Sequence, residues 1–270
     1  MRRLYRSIAL GGGGVRGGLH IGALRAIQEV QGDLEFPDGI YGASIGAFIA
    51  TAVAFRIELP KLRNAFEQYG AFSNFVPDLT LDHLLTIVQR KGLFSMDRML
   101  DMSLKIFDEC GVDLRNKCIS DAPQKLWIIS SNMTSGDTTL LTGKVPILDA
   151  FRCSMAIPLI FEPQVLYGSV YLDSVAHVPC IQVAVPHNTL VVHISGEFNP
   201  VTPSSSLTEL LYAVYRGRAK HYKGSNVLRF RTIPIGPLSD LSQTERDLLI
   251  QEGYSQALTF LTQRAAKESL

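Results

Sequence analysis

Long apolar runs are missing from this chain. The longest mostly apolar stretch, Ala43 to Phe55, falls short of the ~20 residues that a membrane-crossing helix needs, so the sequence allows contact with a membrane surface and predicts no span. An excess of either charge is missing too. Lys and Arg total 26 against 25 Asp and Glu, a formal charge of +1, which removes the bulk positive field that nucleic-acid affinity draws on; no nucleic-acid partner is expected. Cysteine is limited to Cys110, Cys118, Cys153 and Cys180, without a C-x-x-C pair. All four lie in or beside apolar segments, as small core residues kept as reduced thiols in an intracellular protein do. Met1-Arg2-Arg3 is basic, but Ile8-Ala9-Leu10 behind it is too short for a signal-peptide core and runs straight into glycines. No cleaved leader is expected, and the predicted location is intracellular, either cytoplasmic or peripheral to a membrane. Internal repeats and low-complexity tracts are also absent, and the linker-like stretch from Asn199 to Ser206 is short enough to be a loop within a domain.

What the chain does have is 46% hydrophobic and 19% charged residues over 270 positions, enough for one well-packed domain spanning 1–270. Ser7 to Leu10, Leu126 to Ser130, Thr138 to Leu141, Val170 to Leu172, Thr189 to Ile194 and Val227 to Phe230 read as strands. Helical spacing covers Gly18 to Val30, Ser44 to Arg56, a segment starting at Pro60, Leu81 to Gln89, Met96 to Cys110, Ile147 to Met155, Leu207 to Tyr222 and Thr244 to Lys267. Strands alternating with helices predict a mainly parallel α/β sheet covered on both faces. Residues 71–119 are the least regular and form the place for a lid or insert. There, Phe72, Phe75, Leu93 and Phe94 are expected to be mostly ordinary core, with an acyl-chain pocket as the alternative.

Two glycine-rich turns carry the chemistry. Gly11-Gly12-Gly13-Gly14-Val15-Arg16-Gly17 follows the first strand, and Gly42-Ala43-Ser44-Ile45-Gly46 follows Gly39-Ile40-Tyr41. The second is a G-x-S-x-G nucleophile elbow, where a sharp strand-to-helix bend exposes a serine hydroxyl. The first offers successive backbone N–H groups to a negative oxygen, as acyl transfer requires beside its nucleophile. A serine needs a base, and two arrangements are open: Asp173 acting directly, or Asp173 orienting one of His177, His187, His193 and His221. Gly12-x-Gly14-x-x-Gly17 also fits a dinucleotide-binding turn with Asp33 or Glu35 as the ribose acid, but a nicotinamide site has no use for the serine elbow that follows. Arg16 is expected either to hold a substrate phosphate or to fix the loop, and His20 to be packed and hydrogen-bonded.

These motifs together resemble the patatin-like phospholipases. Gly12 to Gly17, followed by Leu19-His20-Ile21-Gly22-Ala23-Leu24, is similar to that family's oxyanion loop and first helix. Gly42-Ala43-Ser44-Ile45-Gly46-Ala47 is similar to its elbow, and Arg152-Cys153-Ser154-Met155-Ala156-Ile157-Pro158 to the stretch before its acid. The resemblance runs from Ser7 to Pro179. It implies a three-layer α/β/α fold and a lipid acyl hydrolase acting on phospholipid or other glycerolipid esters, with transient membrane contact. It further implies Ser44 as nucleophile, Asp173 as base and the amides of Gly12, Gly13 and Gly14 as oxyanion donors, supported by Arg16, Gly17, Gly42 and Gly46, with no metal and no cofactor. The chain departs from the family at Asp173-Ser174-Val175-Ala176-His177, where the family has an acid followed by Gly-Gly or Gly-Ala. His177 is therefore a candidate assistant to Asp173. The rival functions are a general carboxylesterase or thioesterase and a catalytically silent lipid-binding protein.

Overall fold

The computed structural model describes residues 4–176, 181–194, 202–203, 224, 226–230, 235–236 and 238–268. Ser7–Leu10 (β1), Gly18–Gln31 (α1), Gly39–Ala43 (β2) and Ile45–Ala54 (α2) form the first half of the site-bearing core, and Leu59–Tyr69 (α3) follows with Pro60 in its first turn. Both β1 and β2 are buried along their whole length, the signature of strands covered on both faces. Leu81–Arg90 (α4), Gly92–Phe94 (β3) and Asp97–Glu109 (α5) occupy the irregular middle block. Leu126–Asn132 (β4), Asp137–Leu141 (β5), Ile147–Met155 (α6), Leu159–Phe161 (β6), Gln164–Leu166 (β7), Ser169–Leu172 (β8), Leu190–His193 (β9), Val227–Arg229 (β10) and Gln243–Glu268 (α7) complete the described elements.

The central sheet runs β10-β9-β1-β2-β4-β8-β7, with β5 also paired to β4. From β10 to β4 all pairings are parallel, whereas β5, β8 and β7 join antiparallel. Alternation along β1 supplies both faces: Ile8 and Leu10 enter the larger core, and Ala9 enters a smaller one with Tyr41, Ile129 and Val191. Phe48 of α2, Phe107 of α5 and Phe151 of α6 meet in an aromatic cluster that knits these helices together. On the smaller face Tyr41 stacks on Trp127 with centroids 4.7 Å apart.

The strands and helices expected from periodicity are present within two or three residues of their predicted ends, except the Leu207–Tyr222 helix, which lies outside the described residues. Three strands were not legible. β3, β6 and β7 are three residues each, too short to display an alternation, and β3 with β6 forms a separate parallel pair through Gly92 and Leu159. Among the described residues no helix is long and apolar enough to cross a membrane.

Candidate active site

β2 ends at Ala43 and α2 begins at Ile45, so Ser44 alone makes the bend, at φ 54° and ψ −128°. A non-glycine residue in this region costs on the order of 1–3 kcal/mol. Two contacts hold it there: its N–H donates to Ser154 Oγ at 2.9 Å, and its carbonyl accepts from Ala47 N at 2.8 Å. The start of α2 also presses against the end of β1. A Cβ at Gly46 would stand 2.1 Å from the Leu10 carbonyl oxygen, which explains the glycine after the bend.

Asp173 follows β8 and is 2% exposed. Its N–H donates to the Ala156 carbonyl at 2.8 Å, and Ser174 Oγ lies 3.5 Å from its Oδ1. Sheet register relates it to the bend. Parallel pairing sets Ala43 beside Ile129, and antiparallel pairing sets Leu172 beside Ser131. Ser44 and Asp173 are each one residue on, and both face Ser130 from the same edge of β4, because β5 takes the other edge along Ile128 to Asn132. β2 and β8 thus meet end to end along that edge, which brings Ser44 and Asp173 together opposite one residue.

The end of α6 braces both. Ser154 Oγ accepts from Ser44 N and donates to Ile129 O at 2.6 Å, while Ala156 O holds Asp173. Between them Ser130 Oγ stands 2.6 Å from Cys153 O and 2.9 Å from Leu172 O. The stretch from Arg152 to Pro158, notable in the sequence only as a motif, thus ties the two candidate residues to one helix end. Ser154 and Ser130 escaped sequence reasoning because their partners lie 23 to 110 positions away.

The glycine loop lies across from the bend: a Cβ at Gly12 would be 3.3 Å from Ser44 Cβ. Two of its carbonyls are tied down. Gly11 O is 2.7 Å from His20 Nε2, and Gly13 O accepts from Arg16 Nε at 3.1 Å and Arg16 N at 3.3 Å. In a trans peptide the N–H points opposite to the C=O, so the amides of Gly12 and Gly14 face away from His20 and Arg16. Of the two roles weighed for Arg16, the contact seen is the loop-fixing one. Burial lowers the pKa of His20 to about 4, keeping the ring neutral and able to donate from Nε2 to the Gly11 carbonyl.

An apolar cavity of about 90 Å³ starts at Ser44 and runs between α2, α3 and α5. Phe48, Phe66, Met99 and Ile106 line it, and Phe72 and Phe75 belong to its wall. Phe72 and Phe75 thus belong both to the cavity wall and to the layer packed on the core, while Phe94 is buried core and Leu93 packs against it. Two other polar side chains on the wall have partners: Ser103 Oγ donates to Met99 O at 2.8 Å and Tyr69 Oη to Glu109 Oε1 at 2.6 Å.

Of the four histidines considered, His177 and His221 lie outside the described residues. His187 is exposed. His193 ends β9 beside Gly11, and β1 lies between β9 and β2. Asp33 and Glu35 sit before β2, at the opposite strand end from the glycine loop, where Glu35 pairs with Arg56 at 3.0 Å. That placement removes the dinucleotide reading, because such ligands bind at the carboxyl ends of the strands. Among the described residues no group of three or more His, Cys, Asp or Glu side chains is arranged to hold a metal ion.

The sequence model of the patatin-like phospholipase family matches residues 8–183. Over 172 residues the chain is 24% identical to an uncharacterised protein of Acanthamoeba polyphaga mimivirus, covering 62% of this chain and 57% of that one. It is 23% identical over 171 residues to an uncharacterised NTE family protein of Mycobacterium tuberculosis, covering 62% of this chain and 41% of the other. The match therefore spans about half the length of these relatives. Among solved structures, VipD from Legionella pneumophila superposes with a TM-score of 0.55 at 14% identity, covering 96% of this chain and 67% of VipD. ExoU in its heterodimeric complex with SpcU, from the type III secretion system of Pseudomonas aeruginosa, gives 0.53 at 16% identity, covering 97% and 52%.

Proposed function

Because the chain belongs to the patatin-like phospholipase family, we propose that it is a lipid acyl hydrolase cleaving carboxylic esters of phospholipids or other glycerolipids, with Ser44 as nucleophile and Asp173 as base. The observation that carries this reading is the apolar cavity that begins at Ser44. A cavity whose other polar atoms are already bonded suits an acyl chain, and it delivers the ester carbonyl to the bend.

In the proposed reaction Ser44 Oγ attacks that carbonyl while Asp173, converging with it on the same edge of β4, takes its proton. The oxyanion is met by the amides of Gly12, Gly13 and Gly14, preorganised by the tethers on Gly11 and Gly13. Collapse of the tetrahedral species expels the alcohol, which takes up the proton held by Asp173. Water then attacks the acyl carbonyl as the same carboxylate takes its proton, and that proton passes to Ser44 Oγ as the fatty acid leaves.

The test is fatty-acid release from mixed phospholipid vesicles, run beside hydrolysis of a short soluble ester. Ser44→Ala and Asp173→Asn are expected to lose on the order of 10³-fold or more of both activities with unchanged thermal unfolding. Undiminished turnover by Asp173→Asn refutes the dyad, and turnover confined to the short ester favours a general carboxylesterase. One contact favours a second reading, a silent lipid-binding protein: Ser174 Oγ, 3.5 Å from Asp173 Oδ1, gives the carboxylate a hydroxyl neighbour other than Ser44. Failure of Ser44 to react with a fluorophosphonate probe would select that reading.

A further inference from the structure

Helix α4 is built with its amphipathic faces reversed. Leu81, Leu84, Leu85 and Val88 recur at the i, i+3, i+4, i+7 spacing that normally faces a core, yet they are 70%, 50%, 71% and 84% exposed. The other side of the helix meets the protein: His83 packs edge-on to Phe94 with centroids 5.0 Å apart, and Arg90 pairs with Glu162 at 3.7 Å. Local signals sustain the helix without a buried face. Thr80 and His83 form a reciprocal capping box, and Lys91 closes the other end in the left-handed conformation.

We propose that this stripe is the membrane-docking surface, entering the headgroup and acyl boundary of a zwitterionic phospholipid bilayer. The inference deepens, and rests on, the reading of Ser44 as the centre of a lipid hydrolase. The stripe offers four large apolar side chains on a ten-residue helix, far fewer than the roughly 20–30 residues a side of a stable protein interface. A bilayer demands no matched partner surface, and each leucine leaving water favours binding by roughly tenfold. The surrounding charges carry no positive excess: Arg90 is paired with Glu162, leaving Lys91 beside Asp78 and Asp82, which fits a neutral rather than an anionic surface. The stripe is also joined to the cavity. Five residues separate Leu81 from Phe75 on the cavity wall, and Arg98 pins the turn between Phe72 and Phe75 through Asn74 O at 3.2 Å.

The experiment is flotation of the full chain carrying Ser44→Ala with dioleoylphosphatidylcholine vesicles. Binding is expected, insensitive to salt between about 0.1 and 0.5 M, and weaker by about 100-fold when Leu85→Ser and Val88→Ser are added. In the active chain those two substitutions should leave short-ester turnover within about twofold while vesicle hydrolysis falls with binding. As an independent readout, Val88→Trp should shift its emission to the blue on adding vesicles. Flotation unaffected by the double substitution overturns the proposal. So does binding that requires phosphatidylserine and vanishes in salt, which places docking on cations elsewhere, and so does a dimer in solution that the double substitution dissolves, which makes a second copy the occupant. Wild-type chain that floats but cleaves no ester supports docking and defeats the hydrolase reading, so the two failures are distinguishable.

Discussion

Ser154 sits behind Ser44, where it accepts the bend's amide and passes its own proton to Ile129 O. Removing it strands a buried N–H, at about 1–3 kcal/mol, and loosens a backbone already held at positive φ. Ser154→Ala is expected to lower kcat on the order of 10²-fold with little change in KM, measured on a soluble ester; an unchanged kcat would show that the bend needs no brace. His20 holds the opposite wall of the site and carries a pH signature. Its folded pKa is about 4 against an ordinary 6.5, so the unfolded chain takes up the proton first. The stability this provides is complete above about pH 6.5 and is lost as pH falls towards 4, by up to about 3 kcal/mol. Urea unfolding at several pH values should show this acid limb in the wild type and a flatter one in His20→Gln, whose amide can still donate to Gly11 O.

At the scale of elements, α1 leads out of the glycine loop and is clamped by α7. The crossing depends on two glycines: a Cβ at Gly22 would fall 2.1 Å from Ile250 O, and one at Gly253 2.3 Å from Leu19 O. Helix propensity alone predicts that Gly22→Ala stabilises by about 1 kcal/mol. The backbone clash should reverse the sign, giving a loss of about 2–3 kcal/mol in thermal or urea unfolding; a gain would mean the helices sit further apart. Gly22 was visible in the sequence only as part of a first-helix motif, because the element it meets is more than 200 positions away. Ile147–Met155, by contrast, was legible to the residue, since its helical spacing and the proline that follows are local. The reversed face of α4 was half legible: periodicity marked the helix, but only tertiary contact decides which side turns outward.

For the molecule as a whole, the parallel sheet and the serine bend could be read from alternation and from glycine spacing, which are short-range physics. The brace from α6 could not, nor could the cavity, because both arise where several distant segments of the chain converge. What unites these findings is the claim that Ser44 is an activated hydroxyl at the end of an apolar cavity. Fluorophosphonate treatment followed by mass spectrometry tests it most directly. One covalent phosphonyl adduct is expected on the peptide containing Ser44, formed more slowly in Asp173→Asn and absent in Ser44→Ala. An adduct on another serine, with ester hydrolysis retained by Ser44→Ala, would contradict it.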